Sequence, residues 1–343
     1  MAYKKRFYIL IALIAGLALL YTGSLIFNSD LAAKRSFFVW LDAKTAGQTT
    51  KIIINSQAGE IELSKQNKNN LWFVLHDGKV FPARQMRIQD FLDAVTARAS
   101  WQVRSSSASS HERFGLDNES ASRVTLYAET SVILDLLLGN DDYLRNETYF
   151  RKYGQNEVRS GDSVIKSYIN SQAGSWYNLR LVSNADGGQI DISSVQRVTV
   201  NQSEPAAEPH SGEGSRAAEI NPAASTQIFT RRNRSWVVSG FEVKNPDIPA
   251  IESYIRVILN TEADSFSDTV TSEDPMLNYN RVTLELGSSK VVTIRLSQSD
   301  ENGRVFAHVT YTDNDDYSRY VYSIPSWSAG RLFMPAESFE LQQ

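Results

Sequence analysis

The sequence contains no cysteine. That excludes disulfide scaffolds, cysteine nucleophiles, iron–sulfur clusters, thiol-linked lipids and cysteine-type zinc sites. Histidine is scarce: His76, His111, His210 and His308 are the whole set, and no two stand at metal-ligand spacing. No phosphate-cradling glycine loop occurs. No Gly-x-Ser-x-Gly elbow surrounds the serines, not even the Ser-rich run Ser105 to Ser110 beside His111, which reads as a loop. Neither sign of charge dominates, with 35 basic and 39 acidic side chains for a net of −4. What is there is ordinary core material. An apolar content of 42% rules out wholesale disorder, and 343 residues are enough for about two domains.

One long apolar run stands apart. Phe7 to Phe27 is a stretch of 21 residues without a charge. As a helix it is about 31 Å long, which matches a hydrocarbon core of roughly 30 Å. Lys4, Lys5 and Arg6 precede it, so residues 1–6 are expected in the cytoplasm and everything after Phe27 outside it. A cleaved signal peptide is the alternative, but its apolar region is normally about 7–15 residues. Without the three anchor cations, 32 basic and 39 acidic groups remain, a net of −7. That argues against nucleic acid as a partner.

The remainder looks duplicated. Trp72 and Pro82 recur 164 residues later as Trp236 and Pro246. An amphipathic helix follows each pair: Ile88, Phe91, Leu92 and Val95, then Ile251, Tyr254, Ile255 and Ile258, both at i, i+3, i+4, i+7. Arg123-Val124-Thr125-Leu126 returns as Arg281-Val282-Thr283-Leu284. The expected organisation is a first unit over 37–170, a connector over 171–192, a second unit over 193–334 and a tail over 335–343. In the first unit, strands are expected at Lys51–Ile54, Glu60–Leu63, Arg123–Ala128, Val132–Leu138, Thr148–Tyr153 and Ser163–Ile169. In the second they are expected at Arg197–Val200, Thr226–Phe229, Arg281–Leu286, Val291–Leu296, Val305–Tyr311 and Ser318–Ile324. Asp77-Gly78, Gly139-Asn140, Gly287-Ser288 and Asn302-Gly303 read as turns. The fold class is α+β: a transmembrane helix, then two antiparallel-sheet units, each with a covering helix. Residues 201–225, rich in Pro, Glu, Ala, Ser and Gly, read as a disordered insertion.

No reactive constellation emerges, and no cofactor or metal is called for. Asp313 to Asp316 has neither the glycine nor the distal glutamate of a calcium loop and reads as a turn. His76 and His308 read as surface residues. The last hairpin is aromatic: Tyr311, Tyr317, Tyr320, Tyr322 and Trp327. It reads either as cross-strand packing or as a partner-binding platform.

Several short motifs carry a resemblance. Phe114-Gly115-Leu116-Asp117 precedes a strand, Leu137-Leu138-Gly139 ends the next, and Tyr149-Phe150-Arg151 precedes a polar turn and Val164. With the anchor and the Trp72–Pro82–helix element, this order resembles the bacterial domain-of-unknown-function family 4340. The second unit departs from it, with Met276-Leu277-Asn278 in place of the Phe-Gly-Leu-Asp motif. The family has no agreed catalytic residues. The resemblance implies a bacterial inner-membrane, export-side accessory protein, of a kind that accompanies gliding-motility-type ABC transporters. The expected function is a non-enzymatic, single-pass, membrane-tethered interaction module whose partner is another envelope membrane protein. A glycan-binding ectodomain and an unrecognised hydrolase are the alternatives.

Overall fold

A computed structural model describes residues 14–17, 35–66, 70–144, 146–184, 187–203, 225–233, 235–312 and 317–341. Within the expected anchor only 14–17 is described, and it is helical; the rest of 7–27 lies outside the described residues. Among the described residues no helix is long and apolar enough to cross a membrane. Most of the expected insertion, 204–224, and the acidic turn 313–316 also lie outside them.

The chain divides into two compact units. One holds the residues up to Phe81 together with Arg87–Trp176; the other holds Pro82–Met86 and Tyr177–Gln343. The sheet of the first unit is built from β1 (Arg35–Phe38), β2 (Lys51–Ser56), β3 (Gly59–Lys65), β4 (Trp72–His76), β5 (Lys79–Pro82), β6 (Ala99–Ser105), β7 (Ser122–Ala128), β8 (Ser131–Asp142), β9 (Glu147–Lys152) and β10 (Val158–Asp162). Their order is β1-β6-β10-β9-β8-β7-β2-β3-β4-β5. The second unit holds β11 (Val195–Gln202), β12 (Ser225–Arg232), β13 (Ser235–Ser239), β14 (Ser265–Phe266), β15 (Asn280–Leu286), β16 (Val291–Leu296), β17 (Arg304–Tyr311) and β18 (Val321–Pro325). Their order is β13-β12-β11-β15-β16-β17-β18-β14. Read from the opposite edge, this is the order of β6, β10, β9, β8, β7, β2, β3 and β4. Helices are few: α1 (Ala43–Ala46), α2 (Gln85–Thr96), α3 (Val164–Ile169), α4 (Ile248–Asn260) and α5 (Ser326–Gly330). The fold is mixed α+β with two antiparallel sheets.

The registers agree as well as the order. One cross-strand row of the first sheet runs Val74–Leu63–Ile52–Leu126–Leu134. In the second it runs Val238–Phe229–Val198–Leu284–Val292. The repeated Arg-Val-Thr-Leu segments therefore occupy the same place in both ladders. Register is fixed because a slip of one residue would turn every buried side chain to the other face. Trp72 and Trp236 each sit two residues before that row, and both are buried.

Helix α2 buries Ile88, Phe91, Leu92 and Val95, the predicted stripe. The Phe91 ring meets Tyr168 at 5.7 Å and Trp176 at 6.1 Å. Asp247 caps α4 by accepting from the Ala250 N–H at 3.0 Å, and Pro249 occupies the first turn. Tyr254 of α4 stacks on Phe229 at 5.6 Å and on Phe339 at 5.1 Å.

Several expectations are corrected. Ser163–Ile169 is no strand: Val164–Ile169 is helical, burying Ile165 and Ile169 at i, i+4, and the strand precedes it as β10. Gly139-Asn140 is no turn but lies inside β8, where the pairing with β9 shifts register between Leu138 and Asp141. β11 and β12 extend to a Gln202–Ser225 pair, so both ends of the expected insertion 201–225 lie in strands. The connector supplies core residues, with Trp176, Leu181 and Val182 all at 0% exposure. The tail is packed too, since Phe339 is 1% exposed. Asp77-Gly78 behaves as predicted: both residues take positive φ, 49° and 73°, as a tight hairpin turn requires.

Candidate functional site

Two of the family-like motifs of the first unit meet at one cleft of about 570 Å³, through Gly115 and through Leu138 and Gly139. Gly115 adopts φ 65°, closing the short 3-10 turn Glu112–Phe114. The loop then lays its carbonyls against β8. A Cβ on Gly139 would stand 2.1 Å from the Phe114 carbonyl oxygen and 2.9 Å from Leu116 Cγ. A Cβ on Gly115 would stand 2.6 Å from Asn140 Oδ1. Gly139 is therefore required by close approach to backbone, and Gly115 by its left-handed conformation, since the Asn140 side chain could swing aside. The contact seats Leu116, fully buried, against Leu137 and Val158. The bulge at Gly139-Asn140 is the price of admitting the loop.

Arg151, buried on β9, holds the same loop. Its guanidinium donates to the Leu116 carbonyl at 2.7 Å, Asn118 Oδ1 at 2.8 Å and the Gln155 carbonyl at 3.1 Å. Asp117 accepts from the Ser120 hydroxyl and from the backbone N–H of Ser120 and Glu119. Those bonds, the Ser120 hydroxyl first, hold its carboxyl below the usual range.

The cleft wall carries amides and hydroxyls: Gln57 from the β2–β3 turn, Ser120, Ser122, Asn140, Asn170 and Gln172. Its one cation is Lys166 of α3, which donates to Asp141 Oδ1 at 2.8 Å and to the Gly139 carbonyl at 3.2 Å. Lys166 also borders a second hollow of about 300 Å³ lined by Asp141, Asp142 and Glu147. Burial pushes Asp141 up, but hydrogen bonds from Lys166 and Thr148 outweigh it, and its carboxyl lies below the ordinary value. Glu147 accepts from Arg104 at 2.9 Å and from the Ser160 hydroxyl at 2.6 Å. The carboxylates are thus tied into a structural network. The open lining of the larger cleft presents neutral hydrogen-bonding groups.

The aromatic hairpin falls elsewhere and differently. Tyr311, Tyr317, Tyr320 and Tyr322 are 6%, 2%, 8% and 1% exposed, whereas Trp327 is 69% exposed. The Tyr311 hydroxyl donates to the Leu181 carbonyl at 2.9 Å and accepts from the Ser183 N–H at 3.2 Å. Tyr320 and Tyr322 pack on Phe266 at 5.3 and 5.1 Å. Four of the five proposed contact residues are therefore core, and only Trp327 is available to a partner. His308 is also corrected: it is 4% exposed. Its Nδ1 accepts from Arg295 at 2.6 Å and its Nε2–H donates to the Ser318 carbonyl at 2.5 Å. Burial lowers its pKa, and the Arg295 charge lowers it further.

Sequence reasoning missed Gln57, Lys166, Asn170 and Gln172 as cleft residues. Only Gly115 and Gly139 carried a local signal. No curated protein and no solved structure matches the chain. The sequence profile described as Domain of unknown function (DUF4340) matches residues 72–275, more than half of the chain. The match opens at Trp72, spans both motif segments of the cleft and continues into the second unit. The chain belongs to the DUF4340 family.

Proposed function

We propose that the protein is a non-enzymatic interaction module, tethered by residues 7–27 to a bacterial inner membrane in a single pass, with the two sheet units on the far side. The observation that carries this reading is the glycine-shaped cleft of the first unit. One close backbone approach at Gly139 and the left-handed turn at Gly115 build it, and its wall carries neutral hydrogen-bonding groups suited to holding a polar segment. Its partner is another envelope membrane protein, in the finer form of the proposal a component of an ABC-type transport system. A shared membrane raises effective concentration, so a modest interface suffices. We read the two units as one duplicated module, each sheet covered by its own helix. The common strand order and the matched rows around Leu126 and Leu284 support that reading.

The experiment has two arms. Protease added to intact spheroplasts should digest the two units; protection until lysis overturns the topology. A photoreactive side chain at Ser120 should crosslink integral membrane proteins in native membranes, and Gln57→Trp, which fills the cleft, should abolish those adducts. A purified protein that turns over a peptide or glycan, with one carboxylate substitution removing the activity, overturns the non-enzymatic reading.

A further inference from the structure

The second unit has a groove of its own. The exposed face of α4 contributes Ser253, Arg256 and Asn260, and α5 contributes Trp327 and the following Arg331, around a volume of about 440 Å³. Its single carboxylate, Glu262, is already engaged: Arg84 donates to Oε2 at 3.1 Å and Arg180 to Oε1 at 3.4 Å. Asp191 feels the charge of Arg256 from nearby. Among the described residues, no hydrogen bond or ion pair engages the guanidinium of Arg256 or Arg331. Among the described residues, Arg84, Arg180, Arg256 and Arg331 thus surround one carboxylate, Glu262, in a chain whose overall balance is −4, while Asp191 is shared between Arg256 and Arg231. The carboxyl end of α4 offsets only about half a charge. Beside the free cations stands Trp327, an exposed indole on a short, packed helix.

We propose that this groove docks an acidic segment of a protein partner, with Arg256 and Arg331 pairing its carboxylates and Trp327 covering an adjoining apolar side chain. The guanidinium fork matches carboxylate geometry, and Trp and Arg are the residues on which interface energy concentrates. Local charge opposite in sign to the whole chain selects an acidic partner while the rest of the surface repels it. The inference deepens the interaction-module reading by naming the partner's chemistry. Failure here leaves the Ser120 crosslink standing, so the two can fail separately.

The test uses the full chain in neutral detergent and poly-L-glutamate as the probe. Trp40, Trp72, Trp101, Trp176 and Trp236 are 7% exposed or less, so collisional quenching reads Trp327 nearly alone. Iodide should quench it better than neutral acrylamide, and poly-L-glutamate should protect it at low salt. Arg256→Glu with Arg331→Glu should weaken poly-L-glutamate binding about tenfold or more, about 1.4 kcal/mol. Arg256→Gln with Arg331→Gln should fall between. All should melt like the parent, because both side chains are exposed. Equal binding by the Glu double variant overturns the proposal. So does displacement by millimolar inorganic phosphate, which would mark a small-anion site. Binding to phosphatidylglycerol vesicles that poly-L-glutamate does not compete would assign the groove to a lipid surface instead.

Discussion

Gly139→Ala is the sharpest perturbation the fold offers, because the added methyl group meets backbone. Its carbon would lie 2.1 Å from the Phe114 carbonyl oxygen, 2.9 Å from Leu116 Cγ and 3.0 Å from the Gly115 carbonyl oxygen. Ordinary contact begins near 3.4 Å, so the loop must retreat by about 1 Å or β8 must bend. Retreat draws Leu116 from its seat against Leu137 and Val158. Overpacking of this kind costs about 1–3 kcal/mol, and partial loss of a buried leucine contact adds about 1–2 kcal/mol. The expected total is about 3 kcal/mol. With urea slopes of about 1–3 kcal/mol per molar, the first unit's midpoint should fall by about 1–3 M. Two controls separate crowding from conformation. Gly174 has open space and no positive φ, so Gly174→Ala should be nearly neutral. Gly154 has open space but φ 75°, so Gly154→Ala should cost about 1–2 kcal/mol from backbone strain alone. The assay is urea unfolding followed by far-ultraviolet circular dichroism and tryptophan fluorescence. If Gly139→Ala unfolds at the same urea concentration as Gly174→Ala, the cleft is not built by this approach.

Two further outcomes follow from packing and burial. Phe339→Ala should destabilise the second unit by about 3–5 kcal/mol in thermal unfolding, because the ring is buried against Phe229, Phe241 and Tyr254; an unchanged melt would make the tail dispensable. His308 has a folded-state pKa below its ordinary 6.5, so in acid the unfolded chain takes up a proton that the folded residue resists. Stability of the second unit should be full above about pH 6.5 and fall as pH drops through the folded value, and His308→Gln should flatten that slope in melts run from pH 7.5 to 4.5.

The sequence made some levels of this structure readable and hid others for physical reasons. The repeated segments and the turn signals between them located the strands around Ile52, Leu126, Val198 and Leu284. The repeated Arg-Val-Thr-Leu segments pointed to matched positions, and their registers match. Gly139-Asn140 misled because Gly-Asn is a strong turn signal, whereas here the glycine admits a carbonyl from a loop more than twenty residues earlier. Ser163–Ile169 misled because its β-branched residues suit a strand, while Ile165 and Ile169 equally suit one short helical face. The tyrosines illustrate a different limit. Alternation places Tyr320 and Tyr322 on one strand face, but only the placement of Phe266 and Leu181 decides that the face is inside. The cleft was least legible of all. Gln57, Ser120, Asn140 and Gln172 come from a turn, a loop, a strand and the segment after α3, and no local pattern joins them.

The same comparison explains how one architecture supports two dissimilar loops. In the first unit a cross-strand row runs Asn55–Arg123–Leu137–Arg151. In the second the equivalent row runs Asn201–Arg281–Arg295–His308. Where the first sheet sets a leucine beside an arginine, the second sets an arginine beside a histidine, so the cation has moved one strand over. Its task is unchanged. Arg151 grips Leu116 and Asn118 before β7; Arg295 grips the Ser272 carbonyl at 2.6 Å and reaches Asn278 at 3.5 Å before β15. His308 stands at the matching position, where burial and the neighbouring Arg295 guanidinium disfavour its charged form. Each loop ends with one leucine driven into the sheet, Leu116 on Leu137 and Leu277 on Phe306. The clamp therefore requires a guanidinium, an asparagine and a buried leucine, not the Phe-Gly-Leu-Asp sequence itself. The glycine pair that opens the cleft is needed only where Gly139 meets Phe114. In the second unit the matched loop carries Met276-Leu277-Asn278 and meets the sheet through Leu277 on Phe306 and Val321, with no glycine among the described residues at that approach.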